Sequence, residues 1–167
     1  MEGFVSPHSS LLQEVYMIII GYPGIGKSTL AIVKYNVIDL ESSLFRHLSD
    51  NWYVFYVALA IELSNQGNVV FVSTHNDVIE ELIRNNEKAG MIYPSLDLKD
   101  EWISKTGERL LAQPTLNNLR TYERVNECFD KDINYLRNID LPKMEINDMD
   151  YNLSDIVNDL KKRRFYL

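Results

Sequence analysis

The chain has 167 residues, of which 46% are hydrophobic and 25% are charged, and its net charge is −7. This is the length of one ordinary domain and the composition of a globular protein, which excludes a repeat array and widespread disorder. The single cysteine, Cys128, excludes a disulfide framework, and the acidic balance argues against a nucleic-acid partner. No apolar run is long enough to cross a bilayer, so we expect a cytoplasmic protein with no membrane partner.

Short apolar runs, several of them β-branched, alternate with stretches of helical spacing along the chain. Residues 1–14 show no period and are predicted to be a flexible leader or flap, followed by one domain over residues 15–167. Strands are predicted at 15–20, 37–39, 68–73, 91–93 and 143–146, and helices at 29–34, 52–63, 76 to about 90, 97–111, 115–136 and 152–163. Because strands alternate with helices, the crossovers predict an α/β fold with a mainly parallel sheet between helices.

The first predicted strand is followed by a complete match to the pattern G-x-x-x-x-G-K-[ST] at residues 21–28. Its glycines let the backbone wrap tightly, so that successive N–H groups point at phosphate oxygens. Lys27 would then reach the β- and γ-phosphates, and the Ser28 hydroxyl would bind Mg²⁺. The pattern therefore predicts a site for ATP or another nucleoside triphosphate. Its residues are Gly21, Pro23, Gly24, Ile25, Gly26, Lys27, Ser28 and Thr29.

With this motif the chain resembles P-loop kinases of the adenylate-kinase-like group, and more narrowly small viral P-loop proteins that are grouped with nucleotide kinases. The resemblance extends from residue 17 to about residue 157. It implies a three-layer α/β/α P-loop NTPase fold with a five-stranded parallel sheet in the order 2-3-1-4-5. It also implies Mg²⁺-dependent transfer of the γ-phosphoryl group of ATP to a small acceptor, most plausibly a (deoxy)nucleoside monophosphate.

Two carboxylates follow the second predicted strand, in the segment Asp39-Leu40-Glu41. Because the carboxyl ends of parallel strands form the ligand crevice, we expect Asp39 and Glu41 beside the phosphates. The resemblance implies that Asp39 holds metal-bound water, with Ser28 as the other metal-binding residue, or takes the proton of an acceptor hydroxyl. It also implies that Glu41 and Arg46 contact the acceptor. The alternatives are that Asp39 caps the next helix and that Arg46 is a solvated surface residue.

The third predicted strand ends in Ser73-Thr74-His75, where the chain departs from the family pattern. P-loop enzymes carry an aspartate at this strand end, and nucleoside monophosphate kinases tend to have an arginine just after it. Neither is present, which weakens an assignment as an adenylate kinase and shifts the metal-binding role to Ser28 and Asp39. His75 is a candidate for contacting phosphate or base, and the alternative is that it caps the following helix.

Two basic pairs with helical spacing lie in the region of residues 105–124. Lys105 and Arg109 are expected on one helix face, and Arg120 and Arg124 on another. The resemblance implies that this region is a short lid whose arginines, Arg120 and Arg124 above all, act on the transferring phosphoryl group. The alternative is that these side chains belong to ordinary solvated helix faces.

These features support two functions from different classes. The first is a kinase that uses Lys27, Asp39, Arg120 and Arg124 for transfer, with Glu41, Arg46 and His75 binding the acceptor. The second is a nucleotide-binding regulatory or interaction protein that keeps the phosphate loop but transfers nothing, which the missing strand-three aspartate favours. Acceptor-dependent formation of ADP distinguishes the two.

Overall fold

The computed structural model describes residues 17–165, so the predicted leader at residues 1–14 lies outside the described residues. The strands are β1 (Met17–Gly21), β2 (Val37–Asp39), β3 (Val69–Val72), β4 (Gly90–Pro94) and β5 (Lys143–Ile146). The helices are α1 (Lys27–Val33), α2 (Trp52–Asn65), α3 (Asn76–Arg84), α4 (Lys99–Ala112), α5 (Leu116–Arg137) and α6 (Leu153–Phe165). Short 3₁₀ turns lie at Ser42–Leu44 and Leu96–Leu98. None of the helices within the described range is both long and apolar enough to cross a membrane.

The strands form one five-stranded sheet in the order β2-β3-β1-β4-β5. Every pairing between these strands is parallel: Ile18 of β1 lies beside Val70 of β3, and Ile20 of β1 lies beside Met91 of β4. The residues of β1, β3 and β4 are buried throughout, as is typical of strands covered by helices on both faces. The predicted α/β/α architecture and the strand order 2-3-1-4-5 are therefore confirmed.

The helices pack closely on the sheet because the side chains between them are apolar, and because glycine stands where a side chain would not fit. Helix α2 contacts α3, β3 and β1, helix α5 contacts β4, and helix α6 contacts β5 and α1. Gly90 is a point of close approach between α6 and the sheet, since a Cβ atom there would lie 2.6 Å from Leu160 Cδ2 and 2.7 Å from Met17 Cε. The largest fully buried side chains are Trp102, Tyr22, Tyr56, Tyr93, Phe71 and Phe129.

Helix α3 is shorter than predicted, and the prediction that it extends to near Gly90 is wrong. The helix ends at Arg84, and Asn86 takes a left-handed backbone conformation with φ of 54°. Asparagine tolerates this conformation better than most residues, and the conformation ends a helix. Gly90 instead belongs to β4, where it pairs with Ile19 of β1.

The topology brings the polar segments of the sequence to one edge of the sheet. Strands β1, β2 and β3 run in the same direction, so their carboxyl ends lead into residues 21–28, residues 39–46 and residues 73–75 at the same edge. Ligands of open α/β sheets bind in the crevice beyond these strand ends. The fold therefore assembles the phosphate-loop motif, Asp39 and His75 around one cleft.

Leu160 provides a test of the packing of α6 against the sheet. Its side chain is fully buried against Gly90, so Leu160→Ala should lower the free energy of unfolding by about 2–5 kcal/mol. The matched control is Leu111→Ala, since Leu111 also lies on a helix but is 85% exposed, and its cost should stay within about 0.5 kcal/mol. Urea denaturation measures both, and equal costs would contradict the described position of α6.

Candidate functional site

The phosphate-loop motif forms the turn between β1 and α1. Gly24 and Gly26 have φ of 87° and 101°, values in the left-handed region that residues with a side chain rarely adopt. A Cβ atom on Gly24 would also lie 3.1 Å from Trp102 Nε1. Within the described part of the chain, the backbone N–H groups of residues 24–29 donate to no acceptor. The loop therefore presents a row of free amide donors.

Lys27 lies over this loop. Its ammonium group donates a hydrogen bond to the carbonyl oxygen of Gly21 at 3.1 Å. Burial lowers the pKa of Lys27, while the carboxylates of Asp39 and Glu41 act in the opposite direction. The cation thus lies at the loop and within the electrostatic influence of the two carboxylates at the end of β2.

Asp39 is the last residue of β2 and faces this cleft. Burial raises the pKa of its carboxyl group, with Lys27 opposing the shift and Glu41 adding to it. The 3₁₀ turn at Ser42–Leu44 is capped by Glu41, whose carboxylate accepts a hydrogen bond from the Ser43 amide at 3.4 Å. The alternative in which Asp39 is only a helix cap therefore does not hold, since Glu41 has that position.

Tyr56 on α2 fixes the ends of β2 and β3 relative to each other. Its hydroxyl donates to the carbonyl oxygen of Leu40 at 2.6 Å and accepts from the amide of Ser73 at 3.0 Å. Leu40 lies between Asp39 and Glu41 in the chain, so this buried tyrosine sets the position of both carboxylate-bearing residues. This contact could not be predicted from the sequence because Tyr56 lies in a helix that is mostly apolar.

His75 follows β3 and lies half-buried at the floor of the cleft. Its Nδ1 atom is 2.9 Å from the Ser73 hydroxyl, and its ring packs edge-on against Trp52. Burial lowers the pKa of His75 to about 4, helped by the charges of Arg124, Arg46 and Lys27. The imidazole is therefore neutral near pH 7. It precedes α3 without a side-chain capping bond to that helix.

All four arginines considered in the sequence analysis reach this cleft, whereas Lys105 does not. Arg46, Arg109, Arg120 and Arg124 line the cleft together with the phosphate loop. Arg124 binds the carboxylate of Asp132 at 2.9 Å and reaches the carbonyl oxygen of Thr74 at 3.4 Å. In contrast, Arg120 is exposed and makes no ion pair with another described residue.

The predicted lid region, residues 105–124, is a pair of helix segments joined at residues 113–115. Its first part is the end of α4 and its second part is the start of α5. Gly107 lies inside α4, where a Cβ atom would be 3.3 Å from the Tyr122 ring of α5. The two helices therefore pack closely at this glycine, and the break between them is at Gln113-Pro114-Thr115.

The cleft has a volume of about 470 Å³ and gathers most of the predicted site residues. These are Gly21, Pro23, Gly24, Gly26, Lys27, Ser28, Asp39, Glu41, Arg46, His75, Arg120 and Arg124. Of the predicted loop residues, Ile25 points its side chain into the core and Thr29 is exposed outside the lining. Both still contribute a free backbone amide to the loop.

Polar residues of α5 that the sequence reading overlooked also line the cleft, among them Asn117, Thr121 and Glu127. Their spacing of three to four residues from Arg120 and Arg124 places them on the same helix face, and that spacing is the signal that could have identified them. Cys128 lies on this face as well and is half-buried. The face as a whole is one wall of the cleft.

The two predicted metal-binding residues both offer oxygen donors. Ser28 supplies a hydroxyl and Asp39 a carboxylate, and both line the cleft. Such ligands suit Mg²⁺, which keeps several waters and takes few protein ligands, so the residues present fit this ion. Within residues 17–165, no cluster of three or more His, Cys, Asp or Glu side chains is arranged as an all-protein metal site.

Comparisons with known proteins give no match: no protein-family model, no curated protein and no solved structure is similar to this chain. The interpretation of the cleft therefore depends on its own residues and geometry.

Because the ring of His75 is neutral in the folded protein, we predict that this residue makes the free energy of unfolding depend on pH. Because its pKa is about 4 in the folded protein and about 6.5 for an exposed histidine, the unfolded chain takes up this proton first as the pH falls. Between about pH 6.5 and pH 4, the wild type should therefore lose roughly 1–3 kcal/mol more free energy of unfolding than His75→Gln. Urea denaturation across this range measures the difference. Parallel pH curves for the two proteins would contradict a buried, neutral His75.

Proposed function

We propose that this protein is an ATP-dependent phosphotransferase of the P-loop kinase type. It transfers the γ-phosphoryl group to a small acceptor, and a (deoxy)nucleoside monophosphate is the first acceptor class to test. The observation that carries the proposal is the free amide row of residues 24–29 under Lys27, facing Asp39 and the cleft arginines. This arrangement binds several anionic oxygens at once and offers a carboxylate where a nucleophile would stand.

On the donor side, the loop amides bind phosphate oxygens and Lys27 binds the β- and γ-phosphates. Among residues 17–165, the ammonium group has only the Gly21 carbonyl as a hydrogen-bond partner, and it can exchange this contact for phosphate oxygens. Ser28 and Asp39 are the residues that would hold Mg²⁺, which when bound neutralises charge on the phosphates. ATP binding would thus depend on the charges of Lys27 and Mg²⁺ and on the backbone conformation that the loop already has.

On the acceptor side, Glu41, Arg46 and His75 line the cleft beside Asp39. If the acceptor is a hydroxyl, its oxygen forms the new bond to the γ-phosphorus, the bond to the leaving oxygen breaks, and Asp39 takes the hydroxyl proton. Burial raises the pKa of Asp39, so this carboxylate is a stronger base than an exposed aspartate when it is not itself a ligand of Mg²⁺. A phosphate acceptor needs no proton transfer, and Arg46 would then bind its oxygens.

The arginines of α5 have different roles in this proposal. Arg124 is held by Asp132 and by the Thr74 carbonyl, so its position is fixed and the Asp132 carboxylate offsets part of its positive charge. Arg120 is exposed and unpaired among the described residues, so it can move onto the transferring phosphoryl group. Stabilisation of the charge that develops during transfer is the main catalytic contribution expected in this kind of reaction.

The residues that follow β3 support the second candidate function, that of a nucleotide-binding protein without transferase activity. Residues 73–75 carry no carboxylate, so the cleft lacks the aspartate that assists Mg²⁺ in related enzymes. A protein of this kind would bind ATP and would not form ADP in response to any acceptor. The two proposals share the donor site and differ only in turnover.

Lys27→Ala tests the donor site that both proposals require. Because Lys27 contacts the loop and not the core, the variant should fold normally but bind Mg²⁺–ATP at least about 10-fold more weakly. The matched control is Lys34→Ala, since Lys34 is an exposed lysine just after α1. Calorimetric titration measures both affinities, and wild-type binding by Lys27→Ala would contradict the nucleotide assignment. A screen of nucleosides, (deoxy)nucleoside monophosphates and small phosphorylated metabolites then tests acceptor-dependent formation of ADP.

Arg120→Ala separates catalysis from binding. If Arg120 stabilises charge that develops in the transition state, the variant should lose about 10³-fold or more in turnover with less than about a threefold change in ATP affinity. Lys131→Ala, an exposed lysine on the same helix, is the control and should retain wild-type turnover. Unchanged turnover in Arg120→Ala would leave Arg120 as a solvated surface residue.

A further inference from the structure

Two aromatic side chains hold the phosphate loop from the side opposite the cleft. The indole N–H of Trp102 on α4 donates to the carbonyl oxygen of Pro23 at 2.8 Å. The hydroxyl of Tyr151, just before α6, donates to the carbonyl oxygen of Ile25 at 2.8 Å. Both donor residues, Trp102 and Tyr151, lie outside the motif at residues 21–28.

The two aromatic rings and Lys105 form a single unit. Trp102 is fully buried and stacks on Tyr151, with a ring separation of 6.1 Å and an interplanar angle of 19°. The ammonium group of Lys105 donates to the Tyr151 hydroxyl at 3.0 Å and lies 4.7 Å above the Trp102 ring. Lys105 therefore fixes the hydroxyl that holds Ile25, and we call Trp102, Lys105 and Tyr151 the loop clamp.

The clamp determines where the loop amides point. In a trans peptide unit, the carbonyl oxygen of one residue and the N–H of the next point in opposite directions. Holding the Pro23 and Ile25 oxygens outward therefore turns the N–H groups of Gly24 and Gly26 towards the cleft. These two glycines are also the residues with left-handed backbone conformations.

We propose that the loop clamp consists of positioning residues that pre-organise the phosphate loop for its polyphosphate ligand. This inference rests on the proposed nucleotide binding and adds residues that lie outside its motif. A glycine-rich turn without such contacts would populate many conformations, and each residue ordered on binding would cost conformational entropy. A loop that is already held in the binding conformation avoids that cost.

A purely structural role for the clamp would be to attach α4 and the segment before α6 to the loop. That role would affect the melting temperature alone, whereas pre-organisation must affect affinity for phosphate. Inorganic tripolyphosphate with Mg²⁺ is the sharpest probe, because it carries the phosphates of ATP without the base and sugar. Its affinity reports on the loop alone.

Tyr151→Phe removes the hydroxyl that holds Ile25 and keeps the stacked ring. Loss of this one hydrogen bond should weaken both tripolyphosphate and ATP binding about 3- to 10-fold in calorimetric titrations. In turnover assays, the KM for ATP should rise by the same factor while kcat at saturating ATP stays near that of the wild type. Tyr93→Phe is the matched control, since the Tyr93 hydroxyl lies towards Glu145 and Arg137 on β5 and α5, and its affinity should equal that of the wild type.

A second measurement uses the intrinsic fluorescence of the clamp. The chain has 2 tryptophans, so in a Trp52→Phe background Trp102 is the sole emitter when the excitation wavelength is one that tyrosine does not absorb. Because the Trp102 N–H is bonded to the carbonyl next to Gly24, tripolyphosphate should change its emission with the same dissociation constant that calorimetry gives. If Tyr151→Phe does not fold, Lys105→Met removes the ammonium group that fixes the hydroxyl and should weaken binding in the same direction.

The outcomes separate this inference from the proposed function. If the wild type binds neither ATP nor tripolyphosphate, both proposals are wrong. If the wild type binds both ligands and Lys27→Ala does not, but Tyr151→Phe binds like the wild type, only the clamp is wrong. Weaker binding by Tyr151→Phe at an unchanged melting temperature supports the clamp, since a purely structural contact would produce the opposite result.

Discussion

The left-handed backbone at Gly24 and Gly26 is the constraint on which the rest of the site depends. It allows the turn between β1 and α1 to direct its N–H groups to one side, and only glycine adopts it without strain. The carbonyl oxygens of the same turn then need partners on the other side, and Trp102 and Tyr151 supply them. One backbone conformation thus explains both the free amides in the cleft and the aromatic contacts behind it.

The charges around the cleft follow from this geometry. Lys27 is partly buried beside the loop, and the carboxylates of Asp39 and Glu41 compensate for part of the cost of burying its charge. Burial keeps His75 neutral, and the charges of Arg124, Arg46 and Lys27 add to this effect. The cleft therefore combines the positive charges of Lys27 and its arginines with carboxylates on two walls, Asp39 and Glu41 at the end of β2 and Glu123 and Glu127 on α5.

Helices α4 and α5, which pack on each other, contact two sides of the cleft: the loop after β1 and the segment after β3. Trp102 of α4 holds the phosphate loop, and Arg124 of α5 holds the carbonyl of Thr74 at the end of β3. The two helices pack on each other where Gly107 faces the Tyr122 ring. A displacement of either helix would therefore affect both the turn between β1 and α1 and the segment after β3 that contains His75. This connection gives the predicted lid region a structural role whether or not it moves.

The sequence by itself determined the parallel α/β fold class, the glycine-rich motif and the carboxylates at the end of β2, because each depends on residues that are close together in the chain. The strand order was implied only by the resemblance to P-loop kinases. Alternation of apolar runs sets the crossovers, and the glycine pattern sets the turn. The prediction from the sequence was wrong at the end of α3, because Asn86 ends this helix before Gly90, the residue predicted to end it. Only the tertiary structure decided that Glu41 and not Asp39 caps the following turn, and that Tyr56 joins two strand ends. The loop clamp was equally beyond the sequence, since Trp102 and Tyr151 lie 79 and 126 residues from the carbonyls they hold. Contacts over such distances leave no periodic pattern, because packing chooses the partners only after the sheet has formed.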